Sequence, residues 1–193
     1  MIGLNDVNNR QRYERAAANF SRVVAGVTDW DAPTPVAEWR ARDIVGHLTT
    51  WLPGLLSSGA PITFVPVPDA RRDPVAAWAG IDAQVQAIVD DEELAGSPFT
   101  STYFEPMTVG ELIDRFYTSD VVFHTWDLAK ASGQDPHLDE QYIGAAYDGM
   151  QQMSDTIRES GQFGEQQPVP EDATRIEQFF AFIGRDPRWT PSA

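Results

Sequence analysis

The segment from Thr108 to Gly133 constrains the fold more than any other. Thr108-Val109-Gly110-Glu111 has the form of a capping box, in which a threonine hydroxyl and a glutamate carboxylate three residues later each satisfy a free helix-terminal amide. The run that follows contains no proline, reaches Ala131 and meets a helix-stopping glycine at Gly133. A helix of that length has to bury one face. Leu112, Phe116, Asp120, Phe123 or His124, and Trp126 or Asp127 thread its inner side. An aspartate and a histidine among such neighbours require a partner or a cation.

The rest of the chain has the same helical period. From Asp6 to Val27, the positions Val7, Tyr13, Ala17, Phe20, Val24 and Val27 form one stripe. Pro33 and Pro35 interrupt it, and a second helix begins between Arg40 and Asp43 and ends near Pro53-Gly54. Its face is Ile44, His47, Leu48 and Trp51. Between Ser57 and Pro74 lie Pro61, Pro66, Pro68 and Gly59, which predicts an extended connection. Asp73 and Pro74 open a third helix running to about Leu94. Further helices are expected over Asp139 to Glu159 and Glu171 to Ile183, the latter closed by Gly184. The expectation is one all-α domain over residues 1–193, a helical bundle with a long crossover between its second and third helices and additional C-terminal helices.

Composition narrows the chemistry. No cysteine is present, which removes disulfides, thiolate zinc sites, iron–sulfur clusters and a cysteine nucleophile. A net charge of −15 argues against nucleic acid and anionic membrane surfaces, which are bound by clustered Lys and Arg. Lys130 is the one lysine, so Schiff-base chemistry has a single candidate. No apolar run approaches the roughly 20 residues that span a bilayer, and the N-terminus lacks a signal-peptide pattern, so a cytoplasmic location is expected. Phosphate-loop, dinucleotide-binding, nucleophile-elbow and His-Glu-x-x-His motifs are missing.

The chain has three histidines. Asp120 and His124 are four residues apart and share one face of a helix; His47 lies in the apolar run Ile44-Val45-Gly46-His47-Leu48. Together they would make a set of two histidines and one carboxylate, the ligand count of a metal site with positions left open. Read singly, His47 is equally a hydrogen-bonded core histidine, and Asp120 with His124 a helical pair on a wetted face. Asp127, three residues after His124, is placed to accept a hydrogen bond from that imidazole, or else to pack against a neighbouring helix. Tyr117 is a candidate hydroxyl near the cluster, and Arg42 and Arg115 are candidate carboxylate binders or surface ion-pair partners. Trp39, Trp51 and Trp126 read as core residues or pocket walls, and His137 as an exposed turn residue.

Two motifs, Trp39-Arg40-Ala41-Arg42-Asp43-Ile44-Val45-Gly46-His47-Leu48 and Asp120-Val121-Val122-Phe123-His124-Thr125-Trp126-Asp127-Leu128-Ala129, together resemble the DinB/YfiT-like superfamily. More closely they resemble the branch that includes mycothiol-dependent maleylpyruvate isomerase and its uncharacterised metal-binding relatives. The tail, with Phe163-Gly164, Val169-Pro170 and Gly184-Arg185-Asp186-Pro187-Arg188-Trp189, is similar to the same branch. The resemblance implies a four-helix bundle with a divalent metal, zinc first and nickel, manganese or iron next, on His47, Asp120 and His124. It also implies a low-molecular-weight thiol and a small-molecule electrophile, in an S-transferase or isomerase reaction. The sequence departs from the best-described isomerase of that branch, which has glutamate at the position of Asp120. The rival expectation is a non-catalytic small-molecule or metal-binding module with a vestigial site. The bare donor set also fits non-haem iron. Aromatic residues near the termini leave a homodimer open.

Overall fold

Four helical elements close into a ring, and three of them begin where a side chain accepts from a free helix amide. The computed structural model describes residues 3–102, 104–153, 161 and 163–191. After a short 3-10 turn at Leu4–Asp6, α1 (Asn9–Gly26) is capped by Asn8, whose side chain accepts from the Gln11 amide. It buries Tyr13, Ala16, Ala17, Phe20, Val23 and Val24, one apolar stripe. Next come α2 (Ala41–Gly59) and α3 (Pro74–Asp90), the latter capped by Asp73 with Pro74 in its first turn. Beyond α3, α4 (Glu92–Gly96) leads to a two-residue antiparallel pair, β1 (Pro98–Phe99) with β2 (Met107–Thr108). The Thr108 capping box opens α5 (Val109–Leu112), which runs without a break through a π-helical segment (Ile113–Thr118) into α6 (Ser119–Ala131). α1 packs on α3 and α6, and α2 packs on the same two helices. The result is the expected all-α bundle.

The connection over residues 60–73 is the crossover. Gln84 of α3 pins it as a neighbouring strand would: its side chain accepts from the Val65 amide at 2.6 Å and donates to the Val65 carbonyl at 3.1 Å. Ile62 and Ala70 turn inward to the core. On the far side, α7 (Glu140–Gln151) and α8 (Arg175–Phe182) pack together, with α8 stacked on α6 through Trp126–Phe180 and Phe123–Phe179, ring centroids 4.0 and 4.7 Å apart.

Three boundaries and one helix interior differ from expectation, each for a physical reason. α2 does not stop at Pro53 but continues to Gly59. A proline inside a helix costs about 3 kcal/mol. Leu52 and Leu56 are fully buried on the Ile44–Leu48 face, each contributing about 1.5–3 kcal/mol, so burial wins. α3 ends before Leu94 because the Asp91 side chain accepts from the Glu93 and Leu94 amides and starts a new helix. The 108–131 helix contains a π turn, held in part by the Thr118 hydroxyl donating to the Ile113 carbonyl at 3.1 Å. α8 starts at Arg175 rather than Glu171, because the Thr174–Glu177 capping box lies there. The β1–β2 pair was not expected at all. Of the expected 139–159 helix, α7 accounts for residues 140–151, while residues 154–160 lie outside the described residues. No helix among the described residues is long and apolar enough to cross a membrane.

Replacing Thr108 with alanine removes one half of the capping box that opens the α5–α6 helix. The expected loss is about 1 kcal/mol of unfolding free energy, read from a shift of the denaturant midpoint at unchanged slope.

Candidate metal centre

α2 and α6 face each other across the bundle, and their polar side chains meet at one point. The π segment changes the helical phase just before Asp120, so that Val109 and Leu112 stay in the core while Asp120 and His124 turn toward α2. His47, on α2, places its Nε2 2.9 Å from Asp120 Oδ2. His124 Nε2 lies 3.4 Å from the other carboxylate oxygen. One donor atom from each of His47, Asp120 and His124 lies within 4.8 Å of the other two. The structure thus brings these three predicted residues together. Two imidazole nitrogens and one carboxylate, with no thiolate available, form a donor set suited to zinc or another first-row divalent ion.

The cluster is open on one side. The His124 side chain is 4% exposed, whereas Asp120 is 24% and His47 33% exposed, so access is past His47. Trp51 Nε1 also donates to Asp120 Oδ2, at 2.9 Å. Trp39 stacks on His124, with centroids 5.6 Å apart and planes at 21°, and its ring lies 5.2 Å from that of His47. The tryptophans therefore wall the cluster, and Trp51 is also a hydrogen-bond donor to it. Trp126 belongs instead to the core face against Phe180.

Burial acts on the Asp120 carboxyl by pushing its pKa up. Against it stand the charge of His124, the hydrogen bond and charge of His47 and the hydrogen bond from Trp51, which together hold the group below the usual carboxylate range. Asp127 shows the same balance. It is fully buried, which raises its pKa, but the Arg185 charge and the His124 hydrogen bond bring it below the ordinary value.

Asp127 Oδ2 lies 2.9 Å from His124 Nδ1. It also accepts from Arg185 Nη2 at 3.1 Å, while Arg185 Nε approaches Oδ1 at 3.4 Å. Sequence reasoning did not place Arg185 here. The local partner by helix spacing would be Lys130, three residues after Asp127, but Lys130 lies over the Trp126 ring. Nothing in the sequence near Arg185 marks a contact 58 residues away.

Other candidates lie elsewhere. The Tyr117 hydroxyl is not presented to the cluster; it donates to the Leu48 carbonyl at 2.9 Å, and burial pushes its pKa well above the ordinary tyrosine range. Arg42 pairs with Asp31 and donates to the Trp30 and Arg71 carbonyls. Arg115 lies over the Phe116 ring. His137 sits in an exposed turn beside Asp135.

Comparison with known proteins adds to this geometry. A sequence model of the mycothiol maleylpyruvate isomerase N-terminal domain matches residues 13–129, which include all three cluster residues and Asp127. Two Mycobacterium tuberculosis proteins are each 29% identical to this chain, over 91% of it and 97% of their own length. They are uncharacterized protein Rv0738 of strain H37Rv and uncharacterized protein MT0763 of strain CDC 1551. No solved structure matches.

The depressed pKa of Asp120 fixes a sign. Stability contributed by this group is present above its unfolded pKa, about 3.9, and is lost as pH falls through the lower folded value. Trp51→Phe removes a donor to the ionised form. It is expected to lower the stability of the chelator-treated protein by about 1–2 kcal/mol near neutrality. That deficit should shrink as Asp120 is protonated. Denaturant titrations across pH check this, and a deficit independent of pH would contradict it.

Proposed function

The chain belongs to the mycothiol maleylpyruvate isomerase N-terminal domain family, and from that premise we propose that it is a metal-dependent enzyme that uses a low-molecular-weight thiol in an S-transfer or isomerisation on a small electrophile. The observation that carries the proposal is the convergence of His47, Asp120 and His124, with donor atoms within 4.8 Å and one side open. These residues would hold a single divalent cation, zinc first among the metals that suit two imidazoles and a carboxylate. A cation there supplies positive charge that lowers the pKa of a bound thiol or water, generating a nucleophile near neutral pH.

The chain's own residues would do three things. His47, Asp120 and His124 contribute a net charge of −1 with both imidazoles neutral, leaving a divalent site with residual positive charge for an anionic thiolate. Trp39 and Trp51 present aromatic surface beside the opening, which favours an apolar or planar substrate over a strongly hydrated one. Asp127 and Tyr117 are unsuited to proton transfer at the opening: Asp127 is buried behind His124, and the Tyr117 hydroxyl is committed to Leu48. This arrangement favours a reaction driven by nucleophile activation over one that needs a separate general acid.

A second reading is a non-catalytic metal- or small-molecule-binding module; apart from the cluster, an open surface groove of about 590 Å³ is lined by Arg12, Asp114, Arg115, Ser119 and Tyr142 among others.

Elemental analysis of untagged protein, followed by zinc titration after chelation, tests the metal proposal. About one equivalent is expected in the native protein and none in His124→Ala at equal helical content. Full occupancy in His124→Ala would refute the ligand assignment. Thiol-dependent conversion of a panel of small electrophiles, with net loss of the thiol for S-transfer and none for isomerisation, then separates the two readings. Turnover lost in His124→Ala supports the enzyme, and stoichiometric metal with no turnover for any thiol supports the binding module.

A further inference from the structure

We infer that Arg185, in the C-terminal tail, is a positioning residue for the metal centre: it holds Asp127 as an ionised acceptor for the His124 Nδ1–H and so directs His124 Nε2 into the cluster. The inference rests on the metal-binding reading above and assigns a part in it to a residue beyond the segment matched by the family model, which ends at residue 129.

A carboxylate with no solvent exposure is strongly disfavoured unless it is paired and hydrogen-bonded. Asp127 is such a group, and Lys130, the nearest cation along its own helix, is turned to Trp126. Arg185, 9% exposed, is the cation that meets it. Nε and Nη2, one edge of the guanidinium, address the two carboxylate oxygens at 3.4 and 3.1 Å, while Nη1 donates to the Ile183 carbonyl at 3.0 Å. A planar fork held at three nitrogens has little rotational freedom, and a lysine would not reproduce it.

The backbone that delivers this fork is itself over-determined. α8 ends in a Schellman motif: the Gly184 amide donates to the Ala181 carbonyl at 3.1 Å and the Arg185 amide to the Phe180 carbonyl at 2.8 Å. Gly184 has φ +91°, and a Cβ there would meet the Gly164 backbone at 2.5 Å, so both conformation and space demand glycine. Phe179 and Phe180, in the turn before it, pack on Phe123 and Trp126 of α6, the helix that carries His124 and Asp127. The tail is thus registered against the same helix that Arg185 addresses.

Asp127 Oδ2 takes both Arg185 Nη2 and His124 Nδ1. An ionised carboxylate only accepts, and Asp127, 2.9 Å from Nδ1, is nearer than Asp120, 3.4 Å from Nε2, so the imidazole proton belongs on Nδ1 and Nε2 is left for a cation between Asp120 and His47. Because one oxygen takes both groups, Arg185 and His124 are coupled through Asp127. Arg185 thereby sets the tautomer and the aim of that ligand.

The test uses the full chain and zinc alone, in competition with a chromophoric chelator. It is combined with nitrogen-15 histidine spectra of the metal-free protein, read at a pH where the His124 signals no longer change. Arg185→Met is expected to weaken zinc binding by about tenfold to a hundredfold. It should also convert His124 from the Nδ1–H tautomer to a mixture, with Arg185→Lys recovering part of both. If Arg185→Met fails to fold because Asp127 is left unpaired, the double variant Arg185→Met/Asp127→Asn removes both charges and is expected to fold with the same loss of affinity. Wild-type affinity in a folded variant with an unchanged His124 tautomer would overturn the inference. If the wild-type protein binds no zinc, the metal reading fails. The tautomer then decides the role of Arg185 by itself: a shift in the variant upholds the link from Arg185 to His124, and no shift overturns it.

Discussion

Asp120 is a carboxylate placed where two packed helices leave it little water, and most of the centre follows from how its charge is met. α2 brings two nitrogens to one of its oxygens, His47 Nε2 and the donating Trp51 Nε1, each at 2.9 Å. His124, one turn along its own helix, approaches the other oxygen. These contacts tie α2 to α6 at a polar point within an otherwise apolar seam formed by residues such as Leu48, Leu52 and Val121. Apolar packing sets the distance between the helices, but it does not select one register as sharply as a carboxylate that has to find its donors.

Around that point the bundle is layered by chemistry. On the open side, Trp39 and Trp51 combine apolar faces with one indole N–H used on Asp120. Behind His124 the layer is ionic, with Asp127 and Arg185 both buried. Every hydrogen-bonding atom that is buried in a side chain among the described residues has a partner. Polar groups this deep would otherwise weaken the core. The same two helices therefore carry stability and the site, and the expense of burying charge is met by pairing each buried charge with another group.

Much of this was legible in advance. The capping box at Thr108, the cap at Asp73 with Pro74, and the glycines at 133 and 184 are local signals whose physics involves only a few neighbouring residues, and the helices begin or end beside them. The i, i+4 relation of Asp120 and His124 is likewise local. Where local rules erred, a distant partner prevailed. Pro53 marked an end for α2 by its missing amide, yet Leu52 and Leu56 had core to fill. Tyr117 lay one turn from Asp120, yet its hydroxyl found the Leu48 carbonyl on α2.

The sequence by itself determined the class of fold and the kinds of donor available, because helical period, caps and the lack of cysteine act within single segments. His47 and Asp120, 73 positions apart, could be named as one donor set from residue type and spacing, with family resemblance adding weight, but neither brings them into contact. Tertiary structure decided their meeting: the π turn sets the phase of Asp120 and His124, and α2 brings His47 and Trp51 to them. It alone decided the partner of Asp127. A carboxylate and a guanidinium 58 residues apart carry no mutual signal in the chain, and only the packing of α8 on α6, ended by a glycine with positive φ, brings Arg185 within reach.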